Sequence, residues 1–211
     1  MTFPARPTGL FRTFGILALV AGLAACTDSA NQYTPSSFGA AKLAPGVTPA
    51  AWSIADIRVS VPDSLTVSSD PDQRVPGADI VWWGEPGASA SERRQQVAAI
   101  IGEAVTNGLS GFNGSADVVA EVTVIRFHGL TPRARASCSI LGCLGNTNVD
   151  FEITVRDAAT GDVLASSGLI EADPETVQGE AAELADQRGE TDRARIVQHI
   201  SGVVRDWAAR L

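Results

Sequence analysis

Cys138 and Cys143 enclose four residues in ASCSILGCLGN, and Arg126, His128, Arg133 and Arg135 come just before them. Two thiols at that spacing can form a staple, a redox pair or half of a metal site. A structural zinc takes four ligands, supplied as closely spaced cysteines and histidines, and the chain has only three cysteines and two histidines, His128 and His199. A catalytic dithiol is typically Cys-x-x-Cys at a helix start, a shorter spacing than this one. In an oxidising compartment the pair reads as a disulfide, with free thiols as the alternative and no metal.

The three arginines form a basic cluster in an acidic protein. Arginine's planar fork suits a carboxylate or phosphate on a partner, but the same side chains could neutralise Asp150 and Glu152 across a sheet. His128 ends a strand beside a glycine-containing loop, as a functional group or as a buried histidine bonded to a carbonyl. His199 falls at the boundary of an amphipathic helix. Trp82 and Trp83 follow one another in a strand, so their side chains are predicted on opposite faces; the outward one is either an interface anchor or covered by a neighbouring element.

Other chemistry is scarce. No Gly-x-Ser-x-Gly, His-Glu-x-x-His, phosphate-loop or dinucleotide pattern occurs. Lys42 is the only lysine. No catalytic residue and no cofactor is predicted, and the chain reads as a non-enzyme.

The compartment comes from the N-terminus. Arg6 and Arg12 precede the apolar run Phe14 to Ala25, the order of a secretory signal. That run is shorter than the roughly 20 residues of a spanning helix. Leu23-Ala24-Ala25-Cys26 resembles a bacterial lipobox, which makes Cys26 the lipidation site, palmitate being among the acyl groups such cysteines carry. More than one acyl chain gives stable anchoring. Asp28 lies one place beyond the position associated with inner-membrane retention, so the outer membrane, facing the periplasm, is the expected location, and the inner membrane is the alternative. Loss of residues 1–25 removes Arg6 and Arg12, taking the formal charge from −8 to −10. Such a chain is ill suited to nucleic acid.

Residues 26–50 are rich in Ser, Thr, Ala, Gly and Pro and read as a lipidated flexible tether, leaving 51–211 as a single domain. Trp52 to Val61 alternates, with Ala55, Ile57, Val59 and Val61 on one side, as a half-buried strand does. ADIVWWG is a second short strand. Ser89 and Glu92 have capping-box spacing ahead of a helical stripe from Val97 to Leu109. Val118 to His128 is a long strand, and Leu130 to Asn146 a loop. Val149 to Val155 alternates into a hairpin with VLASSGLIEA. A helical turn falls within Glu180 to Ala185, and Thr191 caps a last helix whose apolar face runs from Ile196 to Leu211. The order predicts an α+β two-layer sandwich: a mainly antiparallel sheet with two amphipathic helices on one face.

DIRVSVPDSLTVS, ADIVWWGEPG with ERRQQVAAI, EVTVIRFHGLTPRAR, FEITVRDAATGDVL and RGET together resemble an alphaproteobacterial lipoprotein family defined by a domain of unknown function. The resemblance runs from Trp52 to the C-terminus, implies no activity and transfers no catalytic residue. The SCSILGC segment departs from the family pattern. More distantly the layout is similar to small envelope lipoproteins that accompany transport or assembly machines. The expected function is a non-enzymatic interaction module binding an envelope protein through Arg126, His128, Arg133, Arg135, Trp82 and Trp83. The alternative is a carrier for a small amphipathic ligand in an apolar pocket.

Overall fold

The computed structural model describes residues 37–39, 41–70, 77–83, 87–136, 138–139, 142–143 and 147–211. Of residues 138–139 and 142–143 it describes the backbone alone, and the expected signal segment and Cys26 lie outside the described residues. The elements in order are β1 (Ser37–Phe38), β2 (Lys42–Leu43), a 3-10 turn (Pro49–Ala51), β3 (Trp52–Ser60), β4 (Ile80–Val81) and α1 (Ala90–Leu109). They continue with β5 (Ala116–His128), α2 (Pro132–Ala136), β6 (Cys138–Ser139), β7 (Gly142–Cys143), β8 (Asn148–Asp157), β9 (Val163–Ala172), α3 (Glu180–Gln187) and α4 (Asp192–Ala208).

The architecture is the α+β one expected. A seven-stranded sheet has the path β1-β9-β8-β5-β3, with β2 on β9 and β4 on β5. β5, β8 and β9 are antiparallel neighbours, with Val122 opposite Ile153 and Phe151 opposite Ile170. The β8–β9 hairpin turns on Asp157, whose Oδ1 accepts the N–H groups of Ala159 and Thr160, both at 2.8 Å. Gly161 supplies the positive φ of 78° that closes the turn. β3 runs parallel to β5, with Ile57 opposite Ala120 and Val59 opposite Val122. Parallel neighbours need a crossover connection, and α1 lies within it.

α1 starts on the capping box read from the sequence. Ser89 Oγ accepts the Glu92 N–H, and the Glu92 carboxylate accepts the Ser89 N–H at 2.7 Å. The backbone bond from Ser89, then its hydroxyl, hold the Glu92 carboxyl below its ordinary pKa. The core joins Val97, Ile100, Ile101 and Val105 of α1, Ile196, Ile200, Val204 and Trp207 of α4, and the inward residues of β5, β8 and β9. α1 and α4 meet at Gly108, where a Cβ would stand 2.7 Å from Val204 Cβ and 3.0 Å from the Ser201 carbonyl. The other sheet face is polar, with ion pairs Arg126–Asp150 and Arg156–Glu121, both 2.6 Å.

Two local expectations change. In β3 the register shifts between Ile54 and Asp56. Ala55 is consequently exposed, while Ile57 and Val59 keep their places against the core. Within the stretch expected as tether, Ser37–Phe38 and Lys42–Leu43 pair with β9. Strands of two residues carry no periodicity to read.

The closeness at Gly108 makes a direct test. Gly108→Ala is expected to lose about 1–3 kcal/mol of stability through overpacking, seen as a lower urea midpoint at unchanged slope. Gly111→Ala, where nothing lies within 4 Å, is the control and is expected to stay within about 0.5 kcal/mol.

Candidate functional site

The position of α4 along α1 opens a groove. Arg193, in the first turn of α4, pairs with Glu103 at 2.6 Å, and further along Ser201 and Val204 meet Gly108. The turns of α1 before Glu103 therefore extend past the start of α4. Gln96, Ala99 and Ile100 form one wall there, with Trp82 and Trp83, the Leu130 to Ala136 segment, α3 and the first residues of α4 completing a cavity of ≈ 720 Å3. That volume lies in the ordinary range of ligand sites, about 300–1,000 Å3.

Its floor is aromatic and aliphatic. Trp82 is buried, packs edge-on against Phe127 at 5.6 Å and donates its indole N–H to Gln96 Oε1 at 2.9 Å. Gly129 leaves room for that ring, since a Cβ there would lie 2.8 Å from Trp82 Cε3. Trp83 is half-buried with the Arg93 guanidinium 3.9 Å over its ring, and Arg93 also donates to the Ser68 carbonyl. The expectation of opposite faces for the two tryptophans is corrected: both line the groove. β4 ends at Val81, so the two-residue alternation of a strand no longer governs them.

Arg135 fastens the rim. It contacts the Asp186 carboxylate with both terminal nitrogens at 2.7 Å, and its Nε lies 3.0 Å from Asp192 Oδ2. One arginine of α2 thus ties α3 to the start of α4. The hydrogen bond from Arg135 holds the Asp186 carboxyl below its ordinary value. Asp186 and Asp192 lie far from Arg135 in sequence, so nothing local to TPRAR announced them.

The other candidates divide. Arg126 pairs with Asp150 across β5 and β8, away from the groove lining. Burial raises the Asp150 carboxyl pKa, against the opposing pull of Arg126. His128, buried at the end of β5, donates Nε2–H to the Ala78 carbonyl at 2.8 Å. Burial lowers its pKa, partly opposed by that bond. It too lies outside the groove lining. Arg133 is exposed on α2. Cys138 and Cys143 are direct partners in the antiparallel ladder of β6 and β7. Among the described residues no group of three or more His, Cys, Asp and Glu side chains is placed to hold a metal ion. Of the residues predicted from sequence, the groove thus gathers Trp82, Trp83 and Arg135; it adds Gln96, Leu130, Glu183, Asp186 and Asp192, which sequence reasoning missed.

The chain belongs to the family of unknown function DUF6778, whose model matches residues 52–210. Among solved structures it is similar to the PelC dodecamer from Paraburkholderia phytofirmans, at 9% identity and a TM-score of 0.38 over 83% of this chain and 99% of that chain. It is also similar to a DUF330 protein from Xanthomonas campestris, at 13% identity and a TM-score of 0.40 over 79% and 87%. No curated protein matches the chain.

Arg135→Ala is expected to loosen α3 by about 1 kcal/mol, the upper end for a partly exposed ion pair, with faster amide exchange over Glu180–Gln187 and none of that change in β8 and β9. Acid should do the same. A carboxyl whose folded pKa is lowered contributes stability that is present above its unfolded value and lost as pH falls through the folded one. The protection of the α3 amides, their exchange measured against the intrinsic rate at the same pH, is therefore expected to fall below the ordinary carboxylate range in the wild type and to lose that added dependence in Arg135→Ala. Unchanged α3 exchange in the variant would show that Ala182 and Ala185 hold the helix without the clamp.

Proposed function

We propose that this DUF6778 member is a lipid-anchored accessory protein of the alphaproteobacterial envelope, facing the periplasm from the outer membrane, that binds a small amphipathic ligand without converting it. It would serve an envelope protein system within reach of its tether. The observation that carries the reading is the groove itself: an apolar floor of Trp82, Trp83, Ile100 and Leu130 under a rim of charged side chains. An apolar body with few, well-placed polar groups is what ligand pockets present. The reading of Arg126, His128 and Arg135 as a partner-facing set has less support, because each already has an internal partner.

Anchoring rests on Cys26 at the end of the apolar run. No helix among the described residues is long and apolar enough to cross a membrane, and acyl chains on Cys26 would supply the attachment. The periplasm would also oxidise Cys138 and Cys143. Their cross-strand pairing brings the Cα atoms to about 4.5–5.5 Å, inside the span a disulfide needs.

Three measurements check this reading. Cys26→Ser is expected to move the protein out of the membrane fraction; continued sedimentation with membranes would refute the lipid anchor. Cys138 and Cys143 are expected to resist maleimide until reduced. A photo-reactive residue at Ala99, on the groove wall, is expected to capture a small-mass adduct in intact cells, while the same residue at Thr123, on the polar sheet face, captures none. Capture at Thr123 alone would place binding on the sheet.

A further inference from the structure

We infer that the groove selects an organic cation: a small amphipathic molecule with an apolar body and a positively charged amine. This rests on the reading of the groove as a ligand site and adds the chemistry of its occupant. Three carboxylates, Glu183, Asp186 and Asp192, stand among the lining residues against two arginines, Arg135 and Arg193. Arg193 is engaged outside the groove by Glu103, and Arg135 is shared between Asp186 and Asp192. Glu183 is exposed on α3 and has no ion-pair partner among the described residues. With Asp186 and Asp192 held by Arg135 and Arg195, the negative charge that the rim keeps uncompensated is the carboxylate of Glu183. Of the cations just outside the lining, Arg195 is bound to Asp192, and Arg93 lies on the ring of Trp83 and is bound to the Ser68 carbonyl.

An anionic amphiphile would have to bring its charge toward the uncompensated carboxylate of Glu183 while its body lay on the indoles. A cationic one meets carboxylates at the rim and an aromatic floor below, the combination that binds ammonium groups through charge and π surface together. Size agrees, because ≈ 720 Å3 suits a drug-sized molecule. The acidic composition of the chain points the same way over longer range, since a field of one sign concentrates ligands of the other.

Two fluorescent probes with one apolar body and opposite charges separate the possibilities: dansylcadaverine, an amine, and dansylglycine, a carboxylate. Binding to the full-length protein in maltoside micelles would be read by energy transfer from tryptophan to dansyl, against empty micelles. Dansylcadaverine is expected to bind about tenfold tighter than dansylglycine, on the scale of a partly exposed cation–π and charge contact. Glu183→Lys, a change on the solvent side of α3, is expected to erase or reverse that preference with folding intact. Ala99→Trp, which fills the groove, is expected to abolish transfer from both. Equal affinities, or a preference for dansylglycine in the wild type, would overturn the cation assignment while leaving the groove as a ligand site. No transfer from either probe would overturn both, and binding unaffected by Ala99→Trp would place the probes elsewhere.

Discussion

The parallel pairing of β3 with β5 is the constraint from which the remaining architecture follows. Two strands that run the same way in one sheet cannot be joined by a tight turn, so the chain must travel back along the sheet. Here α1 makes that return. Its apolar stripe faces the strands, and α4 then packs beside it where Gly108 lets the backbones approach. Because α4 starts opposite Glu103, the earlier turns of α1 are left to α2, α3 and the Trp82–Trp83 segment. Those elements are too short to fill the space, and the groove is what remains.

Electrostatics completes that end of the molecule. Cations are few in this chain, and most described ones serve as ties: Arg126 between β5 and β8, Arg156 from β8 to β5, Arg135 from α2 to α3 and α4. Such pairs contribute little each when exposed, but Arg135 holds two carboxylates that would otherwise repel at the mouth of the groove. It thereby fixes the distance between α3 and α4 as well as the rim's charge. Glu183 stays available because no arginine of the clamp reaches it. Structure and the proposed binding thus draw on the same acidic cluster in different ways.

Much of this was legible in the sequence where a local rule governs. Ser89 and Glu92 announced the start of α1, the alternation from Val149 to Val155 announced β8, and Thr191 with its apolar stripe announced α4. These signals are short in range and survive folding unchanged. The parallel register was not read, although a helix separating two strands was its available clue. Trp82 and Trp83 were recognised as unusual and misplaced, since strand alternation was carried two residues past the end of β4. The acidic stretch before α4 gave a helical turn but not Asp186 as a partner of Arg135, because that pairing is created by tertiary packing. For the same reason the groove had no sequence signature: its walls come from five separate parts of the chain.

The central claim is that this space holds a small molecule. Native mass spectrometry of the full-length protein, purified from its own envelope with the lipid intact, tests that most directly. The account predicts the mass of the protein plus one small molecule, with Ala99→Trp giving the bare protein. Bare protein from the wild type, or an adduct that Ala99→Trp retains, would contradict it.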